Sequence, residues 1–524
     1  MHPVTVSGHT HSALRNNLER LIAYLAVNLQ TSPADLSYTT TSRRRHHSFR
    51  ATVAESSIQA TRVALEQKIQ TVLVETNSHG PVFVFTGQGA AYPALGRELY
   101  VTSTQFRADI NHFNDIATQQ GFPPLLSIVD GSAADLDLLS PIQIQLGLVC
   151  VQVALARLWG SWGINPTAVI GHSLGEYAAL QVSGVLSVSD MIYLVGSRAQ
   201  QLEGLCNMHS HAMLAVRDSA AILHTVPQDL SARVEVACVN GPQDTVIAGP
   251  IEAIDELGIF LESRKIRSKK LVVPYAFHSA QVDPILDGFE RLASQVDMQA
   301  RRIPILSSLR GRMLGAADQI NARYLREHCR QPVQFADALQ NGRQEQVIQA
   351  STVFMEIGPH PICSSMIGRV LGNQTQTLPT LRQNESPWSV LASSLASLHD
   401  LGFGVNWADY HRDLEGGCRL LNLPAYRFDN KNYWIDYKND WTLRKGDPAP
   451  TANKKEPAPA ARLSASVHRV VEEQYNGPNP VVIFETDLGS SEIHAAIRGH
   501  CVNNSGLCPA VSDCIFVVPS APFC

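Results

Sequence analysis

No stretch of this chain approaches the roughly 18 uninterrupted apolar residues of a membrane span. Its most apolar region, residues 142–159, is broken by Gln143, Gln145, Gln152 and Arg157. The opening residues MHPVTVSGHTHSALRNN lack the apolar core of a signal peptide, and the closing APFC is not a prenylation box. No membrane association is therefore expected, and the cytosol is the expected compartment. Charge is scarce too: the formal net charge is −5 over 524 residues, which argues against nucleic acid as a partner. The densest basic run, Arg43 to Arg45, reads as a solvated face or packing linker rather than an anion site. The ten cysteines include no CxxC pair, so free thiols are expected and no metal site. Four of them, Cys501, Cys508, Cys514 and Cys524, crowd the C-terminal end.

What is there is an ordinary globular composition, 44% hydrophobic and 17% charged, long enough for two to four domains. Leu14, Leu18, Leu21, Ile22, Leu25 and Leu29 recur at spacings of three and four, which predicts an amphipathic helix over 10–30. Residues 35–50, DLSYTTTSRRRHHSFR, are polar and β-prone, and a second amphipathic stretch follows near 58–72. Together they make a small unit with too little core to stand alone. PVFVFTGQGAAYPALGREL (81–99) then runs from a buried strand through a Gly-Gln-Gly turn into a helix. PTAVIGHSLGEYAALQ (166–181) repeats that logic, and strand-to-helix units in series imply a parallel sheet. Residues 211–273 read instead as βαββαβ, a ferredoxin-like module, with Val234, Val236 and Cys238 on one strand face. The expected fold is α/β: a hydrolase-like parallel-sheet domain with this module inserted and a cleft between the two. Residues 420–441 are aromatic-rich and expected to pack on the α/β body. Residues 444–466 read as a Pro/Ala-rich linker.

Gly171-His172-Ser173-Leu174-Gly175 fits a nucleophile elbow, a sharp strand-to-helix turn that exposes a serine at a helix N-terminus. A serine nucleophile needs a base, and His278 in YAFHSA is the candidate. The backbone N–H of Gln88, in FTGQG, and that of Leu174 would together form an oxyanion hole. Arg198 offers a bidentate partner for a carboxylate, which a hydrolase of neutral esters does not need. Each also has a bland reading: His278 as a satisfied loop histidine, Gln88 as a turn residue, Arg198 as an exposed helix residue.

FTGQG, GHSLGEYAAL, Arg198, YAFHS and MEIGPHP (355–361) occur in one order and spacing. On them the chain, over roughly residues 78–400, resembles the malonyl-CoA:acyl-carrier-protein acyltransferase domains of fatty-acid and polyketide synthases. With its flanks it resembles a fungal iterative non-reducing polyketide synthase. The resemblance implies the following division. Residues 1–75 are a ketosynthase-to-acyltransferase linker, 76–400 the acyltransferase, 401–443 a segment following it, 444–466 a linker, and 467–524 a truncated start of a product-template domain. It implies Ser173 as nucleophile, His278 as base and then acid, and Arg198 as the partner of the free malonyl carboxylate. Gln145 would line the pocket, with Gln143 a competing alignment. Phe277, directly before the histidine, accompanies malonyl rather than methylmalonyl use. The partners implied are malonyl-CoA, the ketosynthase of a parent synthase and an acyl carrier protein. The carrier brings the phosphopantetheine, and no cofactor is held by this chain. His500, Asn504 and Pro509 fit an HxxxGxxxxP spacing with Asn for Gly, which makes His500 a vestigial product-template base. The alternatives are a serine hydrolase or thioesterase, and an inactive synthase fragment.

Overall fold

The computed structural model describes residues 1–70, 80–429, 467–474, 481–487, 489–498, 501–502 and 505–506. The chain divides into two compact units, Met1–Lys431 and Asn432–Cys524.

The first unit is built on a six-stranded sheet ordered Arg312–Met313, Ile305–Ser307, Ala168–Gly171, Val82–Phe85, Val353–Ile357, Gln376–Pro379. All its pairs are parallel except the edge hairpin between Arg312–Met313 and Ile305–Ser307. The two central strands, VFVF and AVIG, are buried along their whole length, as a sheet covered on both faces requires. One covering element is Pro141–Ser161. Ser140 caps it in a reciprocal box with Gln143, and its apolar surface is nearly all buried. This helix is long and apolar enough to cross a membrane, but 83% of its most apolar window lies inside the domain.

The inserted module is a four-stranded antiparallel sheet ordered Glu235–Gly241, Asp244–Pro250, His211–Val216, Ser268–Lys270. That is the ferredoxin-like order, so the expected α/β fold with a ferredoxin-like insertion is what forms. Two details differ from expectation. The first crossover, SAAILHTV, is a 3-10 segment, Ala220–Thr225, followed by the short helix Gln228–Ser231. Val234, Val236 and Cys238 do not share one face: Val234 and Cys238 join different apolar clusters and Val236 is only half-buried, because the register shifts between Val236 and Cys238. A bulge of this kind moves the following side chains to the other face.

The N-terminal segment pairs His2–Gly8 antiparallel with Phe49–Glu55 and packs His11–Val27 and Ile58–Gln70 around Leu14, Leu18, Leu25 and Leu65. The expected β-prone stretch is instead partly helical, Pro33–Ser42. Ser32 caps it by accepting from the Asp35 amide, Pro33 opens it, and Thr40 and Thr41 donate back to the Leu36 and Ser37 carbonyls. Burial of Thr39, Thr40 and Thr41 against the sheet overrides their weak helix preference. Arg43 contacts Tyr38 and Glu415, and Arg44 donates to the Pro424 carbonyl, so the arginine run is a packing element.

Residues 420–429 pack on this N-terminal segment rather than on the α/β body. Leu421 and Leu423 join its core, and Tyr426 and Arg427 bond to His9 and Asn17. The linker at 444–466 lies outside the described residues. In the second unit Arg469–Gln474 pairs antiparallel with Val481–Glu485, and Ser491–Arg498 is helical.

Candidate active site

The elbow glycines are dictated by close packing. A Cβ on Gly171 would lie 2.3 Å from the Glu176 amide nitrogen, and one on Gly175 would lie 2.3 Å from the Phe85 carbonyl oxygen. The strand Ala168–Gly171 and the helix Gly175–Val182 therefore meet tightly enough to force Ser173 to φ 51°. A non-glycine residue in this left-handed region is strained, and such strain clusters at working sites. His278 is held in the same region, at φ 60°.

The two strained residues meet. Ser173 Oγ lies 2.7 Å from His278 Nε2, and His278 Nδ1 lies 3.0 Å from the Gln331 carbonyl oxygen. A carbonyl only accepts, so Nδ1 carries the hydrogen and Nε2 is left to accept from the serine. The orienting group is thus a main-chain carbonyl rather than an acidic side chain. His278 is 3% exposed. Burial pushes it well below the ordinary histidine value, and His328, Arg198 and His172 push the same way, against the Gln331 carbonyl. At neutral pH the imidazole is therefore neutral and available as a base.

Gln88 opens a 3-10 turn and lines the cleft beside Gly87, Gly89 and Ser173. Leu174 is buried just ahead of the first helical residue, where a backbone N–H has no intrahelical partner. A Cβ on Gly87 would lie 3.0 Å from His172 Nδ1, so the Gly-rich turn abuts the elbow directly.

Arg198 lies within the helix Val188–Leu205 and is 4% exposed, not a surface residue. Its Nη2 donates to Gln145 Oε1 at 3.2 Å, while its Nε and Gln145 Nε2 have no partner. Among the described residues no carboxylate pairs with it. The guanidinium sits 5.6 Å from the Tyr177 ring centre and 5.8 Å from that of Phe277. A buried cation of this kind is satisfied by an anion. Gln143 faces away, bonded to Pro124 and Ser127, so Gln145 is the glutamine beside Arg198. Phe277 is 8% exposed and borders the cleft.

The cleft measures ≈ 470 Å³ and runs between the sheet domain and the inserted module, which contributes Met213, Asn240, Val246 and Leu271. The module also touches the site's frame. Asn240 Oδ1 is 2.8 Å from His172 Nε2, and Val239 and Ala237 exchange backbone bonds with Val333, two residues from Gln331. Sequence reasoning missed Gln331, Asn240, Glu176 and His328. Gln331 acts through its main chain, which leaves no side-chain signal. Asn240 was legible only as a polar residue at a strand end beside a turn. Glu356, in MEIGPHP, accepts from the amides of Ile362, Cys363 and Ser364 and so caps the helix Cys363–Leu371. His500 lies outside the described residues.

Residues 82–403 match the acyl transferase domain family. The chain belongs to that family. Residues 2–65 match a second one, described as CurL-like, PKS C-terminal. The acyltransferase chain is 42% identical over 520 residues to the non-reducing polyketide synthase Preu8 of Preussia isomera, covering 97% of this chain and 24% of that protein. It is 42% identical over 517 residues to the conidial pigment polyketide synthase PfmaE of Pestalotiopsis fici, with the same coverages. The chain thus spans about a quarter of the length of these relatives. Among solved structures it resembles the acyltransferase domain from module 8 of the salinomycin polyketide synthase, with TM-score 0.67, 28% identity and coverages of 78% and 97%. It also resembles the acyl transferase domain of ZmaA, with TM-score 0.69, 26% identity and coverages of 81% and 98%.

Proposed function

We propose that the acyltransferase moves a malonyl group from malonyl-CoA, through a seryl ester, to the phosphopantetheine thiol of an acyl carrier protein, as one step of polyketide synthesis in the cytosol. The observation that carries this reading is the Ser173–His278 pair at 2.7 Å together with the buried Arg198, which pairs with no carboxylate among the described residues. Ser173 Oγ attacks the thioester carbonyl while its proton passes to His278 Nε2. The oxyanion is held by the Gln88 and Leu174 amides. On collapse the C–S bond breaks and His278 returns the proton to the departing thiol. The carrier thiol then attacks the ester by the reverse route, and Ser173 recovers its proton. Arg198 and Gln145 hold the free carboxylate throughout. A ketosynthase in the same synthase would use the product. The chain's residues perform all these roles without a resident cofactor.

Transfer and hydrolysis separate in one assay. Malonate release from malonyl-CoA is measured with and without a thiol-bearing carrier protein. Transfer predicts that the carrier takes most of the malonyl and suppresses release. Release that the carrier cannot divert supports the serine hydrolase instead.

Phe277 supports malonyl over methylmalonyl. Its ring centre lies 5.8 Å from the Arg198 guanidinium, and an aromatic ring beside a bound carboxylate would leave less room for an α-methyl than a small side chain. A single methyl in an apolar pocket is worth only about 1–3 kcal/mol. In a mass-spectrometric competition, malonyl is expected on Ser173 in roughly tenfold excess over methylmalonyl at equal thioester concentrations. Equal acylation contradicts the assignment.

A further inference from the structure

His328, from the helix Ala322–Arg330, is used by nothing above. It is 2% exposed, and neither of its ring nitrogens makes a hydrogen bond. Its ring meets that of His278 edge-on, with centroids 6.0 Å apart, and that of Tyr177 at 5.7 Å. Its Nε2 lies 3.7 Å from Glu176 Oε2, and the Ser173 carbonyl also faces it. Glu176 is 1% exposed and fixed in place, accepting from Ser308 Oγ at 2.7 Å and from the Tyr324 hydroxyl.

The two adjoining imidazoles have opposite surroundings. His328 faces two acceptors, a carboxylate and a carbonyl. His278 faces the Arg198 cation and the His172 ring, with the Gln331 carbonyl as its one fixed acceptor. Arg198 and His172 also act on His328, but Glu176 offsets them. Two adjoining buried rings do not both take a charge, so a proton goes to the one with anionic company.

We propose that His328, with Glu176, is a positioning residue for His278: on acidification it takes the proton first, and its charge keeps His278 the free base. This rests on the reading of Ser173 and His278 as a catalytic pair. Burial lowers both rings; the neighbouring carboxylate of Glu176 opposes this at His328, and the Gln331 carbonyl opposes it at His278.

The test is the pH dependence of Ser173 labelling by phenylmethanesulfonyl fluoride, which needs only the nucleophile and its base and no acyl substrate. In wild type a charged His328 repels a second proton, so labelling persists to low pH. His328→Gln keeps a polar side chain but cannot titrate. Its acid limb is expected to move to higher pH, with labelling several-fold below wild type at about pH 5 and within about twofold on the alkaline plateau. An unmoved acid limb, or an equal loss at every pH, overturns the proposal. If His328→Gln does not fold, nitrogen-15 NMR of the histidines in the wild-type chain decides: His328 must protonate at higher pH than His278, and the reverse order overturns it. Failure of the catalytic pair itself would look different, as label mapping to a residue other than Ser173.

Discussion

Ser173→Ala is expected to form no acyl-enzyme and to lose on the order of 10⁴–10⁶-fold in transfer rate, the range seen when a serine nucleophile working with a histidine is removed. His278→Ala is expected to lose nearly as much, because the two residues act as one unit and their losses do not add. The structural reason is that both residues are held in place by their surroundings. The Ser173 hydroxyl is presented by a strained turn whose flanking glycines admit no Cβ, and His278 is held on its other side by the Gln331 carbonyl. Stability should change little in Ser173→Ala, since the hydroxyl's hydrogen bond is to His278 and the backbone bonds of the turn are kept. Thermal unfolding beside single-turnover acylation from malonyl-CoA checks both statements. Substantial acylation of Ser173→Ala would move the nucleophile elsewhere.

Arg198→Ala is expected to reverse selectivity rather than merely weaken it. A buried guanidinium pairing with a substrate carboxylate carries about 2–5 kcal/mol in such truncations, roughly 30- to 4,000-fold in kcat/KM. Malonyl transfer should fall by that factor. Acetyl transfer should hold or rise, because the variant no longer leaves a cation unpaired at 4% exposure beside a neutral acyl group. The ratio of kcat/KM for malonyl-CoA to that for acetyl-CoA measures this. A ratio unchanged from wild type would mean Arg198 is structural.

Local chemistry made the nucleophile's surroundings readable from sequence. The elbow needs glycine where strand and helix collide, and the two strand-turn-helix units announced a parallel sheet. The helices His11–Val27 and Ile58–Gln70 were legible by periodicity. What escaped was set by tertiary contacts. The helix Pro33–Ser42 forms from β-prone threonines because its cap and its burial outweigh propensity. The bulge after Val236 breaks an alternation that looked regular. Leu421 and Leu423 find their partners almost four hundred residues away in sequence, in the N-terminal segment. At the site, a main-chain carbonyl leaves no letter to read, and His328 matters only through the ring it touches. Gln145 and Gln143 were indistinguishable as letters. One serves the cap of the helix Pro141–Ser161 and the other, two residues on, faces its interior.

The central claim is that Ser173 carries a malonyl group in transit. The most direct measurement is intact-mass spectrometry of the chain after brief exposure to malonyl-CoA, with peptide mapping, repeated after adding a phosphopantetheine-bearing carrier protein. The account predicts one malonyl adduct on the peptide containing Ser173, lost when the carrier is added and recovered on the carrier thiol. No adduct, an adduct on another residue, or one that the carrier cannot remove would contradict it.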